Sequence, residues 1–438
     1  MGVLYVSPGF QPAGKEIDFG KTKENKVLVV GGGGREHAIV DALSRSIWVS
    51  KIYCAPGNAG IAAQAECVPI SDHDVEGLLA FAEQEHIDLT VVGPEASLSA
   101  GIVDRFRAAG RVIFGHTQAA TRIESSKEFA KQIMEKYGIP TAAYRSFADY
   151  EEARAYVAGR PFPAVLKYDG LAAGKGVVIA QDLAEAEAAL KDMLLDNRFG
   201  AGKVVVEDYL EGPEFSFMCF VDGERIYPMP LAQDHKRAFD RDLGPNTGGM
   251  GAYTGLPFIT PEDRAFAQEY ILQKTASAMV AEGCPLSGVL YGGLMKTPDG
   301  IKVIEFNARF GDPETEVVLP LLESDAFDIF QAVAEGREAE QPEWSDDVTM
   351  GVVMASKGYP GSYEKGFAIE GLDQVGPKVY HMGTKCSDGR IVTAGGRVLM
   401  VVGRGHEIHQ VRDCVYEEMG KISCPNLFFR SDIAHWAL

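Results

Sequence analysis

Between Lys26 and Gly115 short β-rich runs alternate with amphipathic stretches, and this alternation limits the fold more than any other feature of the chain. The runs "KVLVV", "KIYCA", "LTVVG" and "RVIFG" are separated by segments such as "EGLLAFAEQEH". Successive strand–helix units predict a parallel sheet covered on both faces. Ligands of such sheets bind beyond the carboxyl ends of the strands. Three loops fall there: Gly31 to His37, Pro56 to Gly60, and Gly93 to Gly101. In the first, "VVGGGGREHA", a strand runs into four glycines and then into a helix, where free N–H groups and the helix dipole favour an anion. A dinucleotide fits poorly. Its fingerprint asks for G-x-G-x-x-G/A and an acidic residue about 20 positions on. Here the last position falls on Glu36 or His37, and the second strand ends "IYCAPGNAG" without a carboxylate. Another phosphate ester is the better candidate, with a purely structural turn as the alternative.

Composition narrows the class further. With 438 residues, 46% hydrophobic and 24% charged, the chain has material for about three domains. A formal charge of −20 argues against a nucleic-acid partner, which would call for a basic face. Seven cysteines lie scattered with no C-x-x-C pair, so neither a disulfide framework nor a zinc site is indicated and a cytoplasmic protein is expected. No apolar run approaches the roughly 18 residues of a membrane span, and the N-terminus lacks the features of a signal peptide; no membrane partner is expected. Residues 1–25 form a tail without an assignable role.

The pattern changes after "SSKEFAKQIMEKYGIP", a predicted helix closed by Gly138 and Pro140. Residues 162–180 read as a hairpin with a small-residue tip, residues 203–223 as two strands around Gly212-Pro213, and residues 287–316 as a hairpin turning at Pro298-Asp299-Gly300. Beyond the polar "EGREAEQPEWSDD", a smaller β-rich unit is expected from about Val348. The boundaries read from the sequence are 26–126, 127–340 (with a subdomain at about 140–212) and 341–438.

Two stretches carry chemistry. In "KYDGLAAGKGV" small residues flanked by Lys167 and Lys175 could lie against a triphosphate, although Gly176 stands where a P-loop needs Ser or Thr. A hairpin tip is the bland alternative. In "VIEFNARFGDPE" the strand period of two puts Glu305, Asn307 and Arg309 on one face. Glu305 and Asn307 offer hard oxygen ligands for Mg²⁺, and Arg309 a cation for a transferring phosphoryl group. An exposed polar strand edge would account for them more simply. His406 and His409 in "HEIH" read as surface residues, whereas His235 in "QDHKR" is a better functional candidate.

Together, a lysine before a glycine-rich hairpin, a strand followed by "EDYL" and a later E-x-N-x-R strand resemble the ATP-grasp superfamily of carboxylate-amine ligases. More narrowly, "GGGGREHA", "PGN", "GPE", "DGLAAGKGV", "QDHKR", "GPNTGGMGAY" and "RFGDPE", in this order, resemble the phosphoribosylamine-glycine ligase (glycinamide ribonucleotide synthetase) family from Lys26 onward.

The resemblance implies an α/β fold with an N-terminal parallel domain, a central ATP-grasp (α+β) domain and a small β-rich C-terminal domain. It implies a monomer that joins glycine to 5-phosphoribosylamine with ATP, by way of glycyl phosphate, in purine biosynthesis. Lys127 and Lys167 match lysines on the nucleotide phosphates, and the loop containing Gly174, Lys175 and Gly176 matches the flap over them. Glu207, Asp208 and Leu210 match the adenine segment, and Glu214 suits the ribose. Glu305 and Asn307 match the ligands of Mg²⁺ or Mn²⁺. Arg309, Asp312 and Lys236 match residues at the reacting groups. Gly33, Glu36, His37, Gly57, Asn58, Glu95, Asp234 and Arg237 match substrate-binding positions. The strand before E-x-N carries Tyr291 where many members have an acidic metal ligand, and "AFDRDLGPN" departs from the family's glycine-rich version. Other readings are a different ATP-grasp ligase or carboxylase acting on a purine-pathway ribonucleotide, and a regulatory protein without activity. The latter would be expected to lack Glu305, Asn307 or Lys167, all of which are present.

Overall fold

A computed structural model describes residues 24–170, 176–376 and 378–438. The first region is a five-stranded parallel sheet in the order Glu66–Cys67, Val49–Pro56, Asn25–Gly31, Leu89–Val92, Ile113–Phe114. Alternate side chains of the central strand feed two cores, as a sheet covered on both faces requires. Val27 and Val29 pack with Ala38, Ile39 and Leu43 of the helix Gly34–Ser44. Leu28 and Val30 pack with Leu78, Leu79 and Phe106 on the opposite face.

A four-stranded antiparallel sheet follows, ordered Tyr144–Phe147, Val204–Asp208, Ala164–Tyr168, Val177–Ala180. The helices Tyr150–Ala158 and Leu183–Leu194 give it a core of its own, built around Val157, Leu166, Leu190 and Val206. The expected hairpin is formed, pairing Ala164 with Ala180 and Lys167 with Val177. Gly174 and Lys175, at its tip, lie outside the described residues. The two strands expected around Gly212-Pro213 also form, but they belong to different sheets: Val204–Asp208 to this small one, Glu214–Asp222 to a larger one.

That larger sheet has ten strands. Its main path runs Gly300–Asn307, Ser287–Thr297, Glu214–Asp222, Ala232–Asp234, Gly251–Thr254, Val348–Ser356, Arg397–Gly405, Lys378–His381. Arg225–Pro228 and Leu427–Phe428 pair at its sides. The unit expected from Val348 therefore continues the central sheet, through the antiparallel pairs Gly251–Val352, Ala252–Gly351 and Tyr253–Met350. The reason lies in "VTMGVVMAS": all of this strand but its first residue is buried, so its backbone groups need partners along both edges. One apolar core runs from Val29 through Phe217 and Phe306 to Val401.

Candidate active site

The edge strand Gly300–Asn307 carries the centre of the site. Burial alone would raise the Glu305 carboxyl, but Lys236, Lys127, Lys167 and Arg309 hold it below the usual carboxylate range. These cations come from separate elements. Lys127 opens the helix Lys127–Tyr137, which Ser126 caps by accepting the Phe129 N–H at 3.1 Å. Lys127 Nζ lies 3.5 Å from the Gly170 carbonyl. Lys167 reaches over from the small sheet and donates to the Ile304 carbonyl at 2.8 Å. It also pairs with Glu207 at 3.0 Å, and the other oxygen of Glu207 is 3.2 Å from Lys131. Lys131 donates to Thr141 Oγ1 at 2.8 Å and to the Ala142 carbonyl at 3.2 Å, in the segment leading into the small sheet. Burial pushes its ammonium down to about 8 despite Glu207.

Beside Glu305, Arg309 links the edge strand to the first region. It pairs with Glu124 at 3.1 Å and Glu95 at 3.5 Å and donates to Asn307 Oδ1 at 3.4 Å. Glu124 also accepts the Ala308 N–H at 2.7 Å. Burial would raise Glu95, yet Arg309 and Arg35 keep it below its ordinary value. Arg35 in turn donates to Glu36 at 2.6 Å and to the Phe310 carbonyl at 3.3 Å.

The glycine turn itself is braced from three sides. Glu36 accepts the Gly33 N–H at 2.7 Å. Asn58 donates to the carbonyls of Gly32 and His381 at 2.9 and 2.8 Å and accepts the N–H groups of Gly60 and Ile61. A side chain on Gly32 would stand 2.5 Å from the Gly57 carbonyl, so the first two loops meet backbone to backbone. His37 Nδ1 accepts the His381 N–H at 2.8 Å; burial, helped by His381 and Lys378, pushes this imidazole down to about 3.

A third group lies on the sheet face next to Glu305. Lys236 pairs with Glu214 at 2.8 Å, and Glu314 accepts from Tyr291 and Ser216 at 2.8 and 3.0 Å. Burial, with Glu314 and Glu214 adding to it against Lys236, pushes the Asp234 carboxyl up to about 7. Lys236 rises the other way: burial lowers it, but Glu214 and Asp234 more than compensate. Arg237 is exposed and donates to the Gly244 carbonyl at 2.8 Å. Asp312 pairs with Arg397 of the C-terminal region at 2.9 Å.

The sequence matches profiles described as the N, ATP-grasp (A) and C domains of phosphoribosylglycinamide synthetase, over residues 25–124, 125–315 and 349–436. The chain belongs to the phosphoribosylglycinamide synthetase family. It is 51% identical over 416 residues to a phosphoribosylamine–glycine ligase of Halalkalibacterium halodurans, covering 94% of this chain and 97% of that one. The crystal structure of a phosphoribosylamine–glycine ligase from Thermotoga maritima superposes with a TM-score of 0.84 at 33% identity, covering 93% of this chain and all of that one. A biotin carboxylase of Campylobacter jejuni has a TM-score of 0.73 at 13% identity over 94% of each chain, a likeness of fold alone.

Within this family framework the candidate residues fall into distinct positions. Lys127, Lys167, Lys236 and Arg309 converge on Glu305, with Asn307 beside Arg309. Glu207 is enclosed by lysines, while the Asp208 carboxylate turns outward to Arg160 and its N–H donates to the Ala143 carbonyl at 2.9 Å. Leu210 is half-buried beyond that strand, and the Gly176 carbonyl accepts the Tyr168 N–H at 2.8 Å. Glu36 and Asn58 spend their hydrogen bonds on the turn that they shape. Sequence reasoning missed Arg35, Glu124, Lys131 and Arg397. Lys131 was legible in principle, because it lies one helical turn after Lys127 and so on the same face. Arg397 carried no local signal.

Proposed function

We propose that this chain joins glycine to 5-phosphoribosylamine with ATP, giving glycinamide ribonucleotide, ADP and phosphate by way of glycyl phosphate. The observation that carries the reading is the Glu305 carboxylate held ionised among Lys236, Lys127, Lys167 and Arg309, and tied through Arg309 and Glu95 to the glycine turn. Cations gathered around one anionic ligand suit the terminal phosphates of ATP, where charge develops during phosphoryl transfer. Glu305 and the Asn307 amide oxygen are hard donors that fit Mg²⁺ or Mn²⁺. With these two protein donors, phosphate oxygens and water would complete the ion's coordination. Such an ion would neutralise phosphate charge as the γ-phosphoryl group leaves.

Lys127 and Lys167 take the phosphates, the segment Glu207 to Leu210 the adenine, and Glu214 the ribose. The turn at Gly33, with Gly57, Glu95 and the elements shaped by Glu36, His37 and Asn58, holds the ribose phosphate. Asp234, Lys236 and Arg237 border the place where glycine's carboxylate attacks. No helix among the described residues is long and apolar enough to cross a membrane, and all seven cysteines are free thiols. Free thiols fit a reducing cytoplasm, and the enzyme is read as a monomer acting on small molecules. ADP release measured with glycine and 5-phosphoribosylamine together, and with each omitted, tests the reading. Release should depend on both, and a rate indifferent to either omission rejects the assignment in favour of another ATP-grasp reaction.

A further inference from the structure

The C-terminal region has no assigned part in the chemistry, yet one of its side chains enters the site. Arg397, at the start of the strand Arg397–Gly405, pairs with Asp312 at 2.9 Å. Its Nη1 donates to the Asp312 carbonyl at 3.1 Å and to the Gly248 carbonyl at 2.9 Å. The Gly248 N–H is taken by the Tyr359 hydroxyl at 2.9 Å. One guanidinium thus ties "RFGDPE" to "GPNTGG", using the fork geometry that distinguishes arginine from lysine. While one Asp312 oxygen faces Arg397, the other faces the glycine turn: a side chain on Gly33 would place its first carbon 3.6 Å from Asp312 Oδ2.

We infer that Arg397 is a positioning residue for the second half of the reaction, holding Asp312 so that its Oδ2 receives the amine of 5-phosphoribosylamine. This rests on the activity proposed above. As the amine nitrogen forms its bond to the glycyl carbonyl carbon, the carbon–oxygen bond to phosphate breaks and its electron pair leaves with the phosphate. The nitrogen, cationic as it bonds, gives its proton to the Asp312 carboxylate, which passes it to water. Oriented carboxylates suit this task, because a misplacement of a fraction of an ångström weakens both the hydrogen bond and the proton transfer. The first half, phosphoryl transfer to glycine, runs at Glu305 and the lysines, and does not call on Arg397.

Hydroxylamine separates the halves. It is small, needs no ribose phosphate site, and traps glycyl phosphate as the hydroxamate. R397M should lower the 5-phosphoribosylamine-dependent rate relative to the hydroxylamine-dependent rate by about ten-fold or more. In D312N the further change R397M should leave that ratio as it is, since Arg397 acts through Asp312. Equal loss of both rates in R397M would mean a merely structural residue and overturns the inference, as does a wild-type ratio or an additive effect in the double variant. If the unaltered protein releases ADP without regard to glycine, the activity itself is rejected, a result distinct from any of these.

Discussion

At Glu305 a single oxygen pair decides between two roles. The surrounding cations keep it ionised, and an amide in its place would remove the negative charge while preserving the shape. E305Q should therefore lower turnover by about 100-fold or more at saturating magnesium, because an amide would lose the carboxylate's hold on the divalent ion that would neutralise the phosphates during phosphoryl transfer. Thermal unfolding should move little. An exposed strand residue would instead tolerate the change within about 0.5 kcal/mol and with normal turnover, so steady-state kinetics beside a melting curve settles the matter. Glu305 and Asn307 were legible because a strand's period of two places alternate side chains on one face, whereas Arg309 lies in a bend two residues beyond the end of that strand. Glu124 and Arg35 were not legible. Each meets Arg309 or Glu95 across a gap in sequence that no local pattern spans.

Two elements control how the small sheet sits on the body of the molecule. Lys131 joins Glu207 of the small sheet to Thr141 and Ala142 in the incoming segment, and Lys167 alone would hold Glu207 without it. K131M should destabilise the protein by about 1–3 kcal/mol, the range for taking one partner from a buried polar group that keeps another. It should also raise KM for ATP more than KM for glycine, which initial rates with each substrate varied in turn will read. The outgoing connection turns at Gly212, whose φ of +147° and closeness to the Lys296 carbonyl, 2.0 Å from where a Cβ would sit, leave no room for a side chain. G212A should cost about 1–3 kcal/mol in urea unfolding. Both strands flanking this turn were readable from their β-rich runs. Their membership of different sheets was not, since period and turn chemistry specify a strand but not its neighbour.

Over the whole molecule, three buried histidines stitch one region to the next by accepting a backbone N–H. His37 accepts from His381, His116 Nδ1 from Ser287 at 2.9 Å, and His235 Nε2 from Ala434 at 3.0 Å. A protonated ring cannot accept. Burial leads in holding these imidazoles near 3, 4 and 3 instead of the ordinary 6.5. A folded value below the unfolded one means that the unfolded chain binds more protons between them. The stabilising contribution is thus complete above pH 6.5 and is lost as pH falls toward 4, by up to about 1.4 kcal/mol per pH unit for each ring. Urea midpoints at pH 7 and pH 5 should differ accordingly, and H37Q should show a smaller difference than the unaltered chain. The alternation of strands and helices disclosed the first region in the sequence, and the polar, proline-containing stretch at 335–347 marked the start of the C-terminal domain, matched from residue 349, but not that its strands continue the central sheet. Polarity marks where a chain crosses the surface, and says nothing about which edge it rejoins.

The shared ten-stranded sheet also sets an order of events on the ribosome. The strand Gly251–Thr254 is made about ninety residues before its neighbour Val348–Ser356, a delay on the order of 5 to 20 s at ordinary rates of synthesis. Through that interval the nascent ATP-grasp region carries an open, apolar edge, and two ribosomes on one message could supply each other's missing strand. Slowing translation across residues 255–347 should therefore raise the aggregated fraction of newly made protein, which sedimentation after pulse labelling will read.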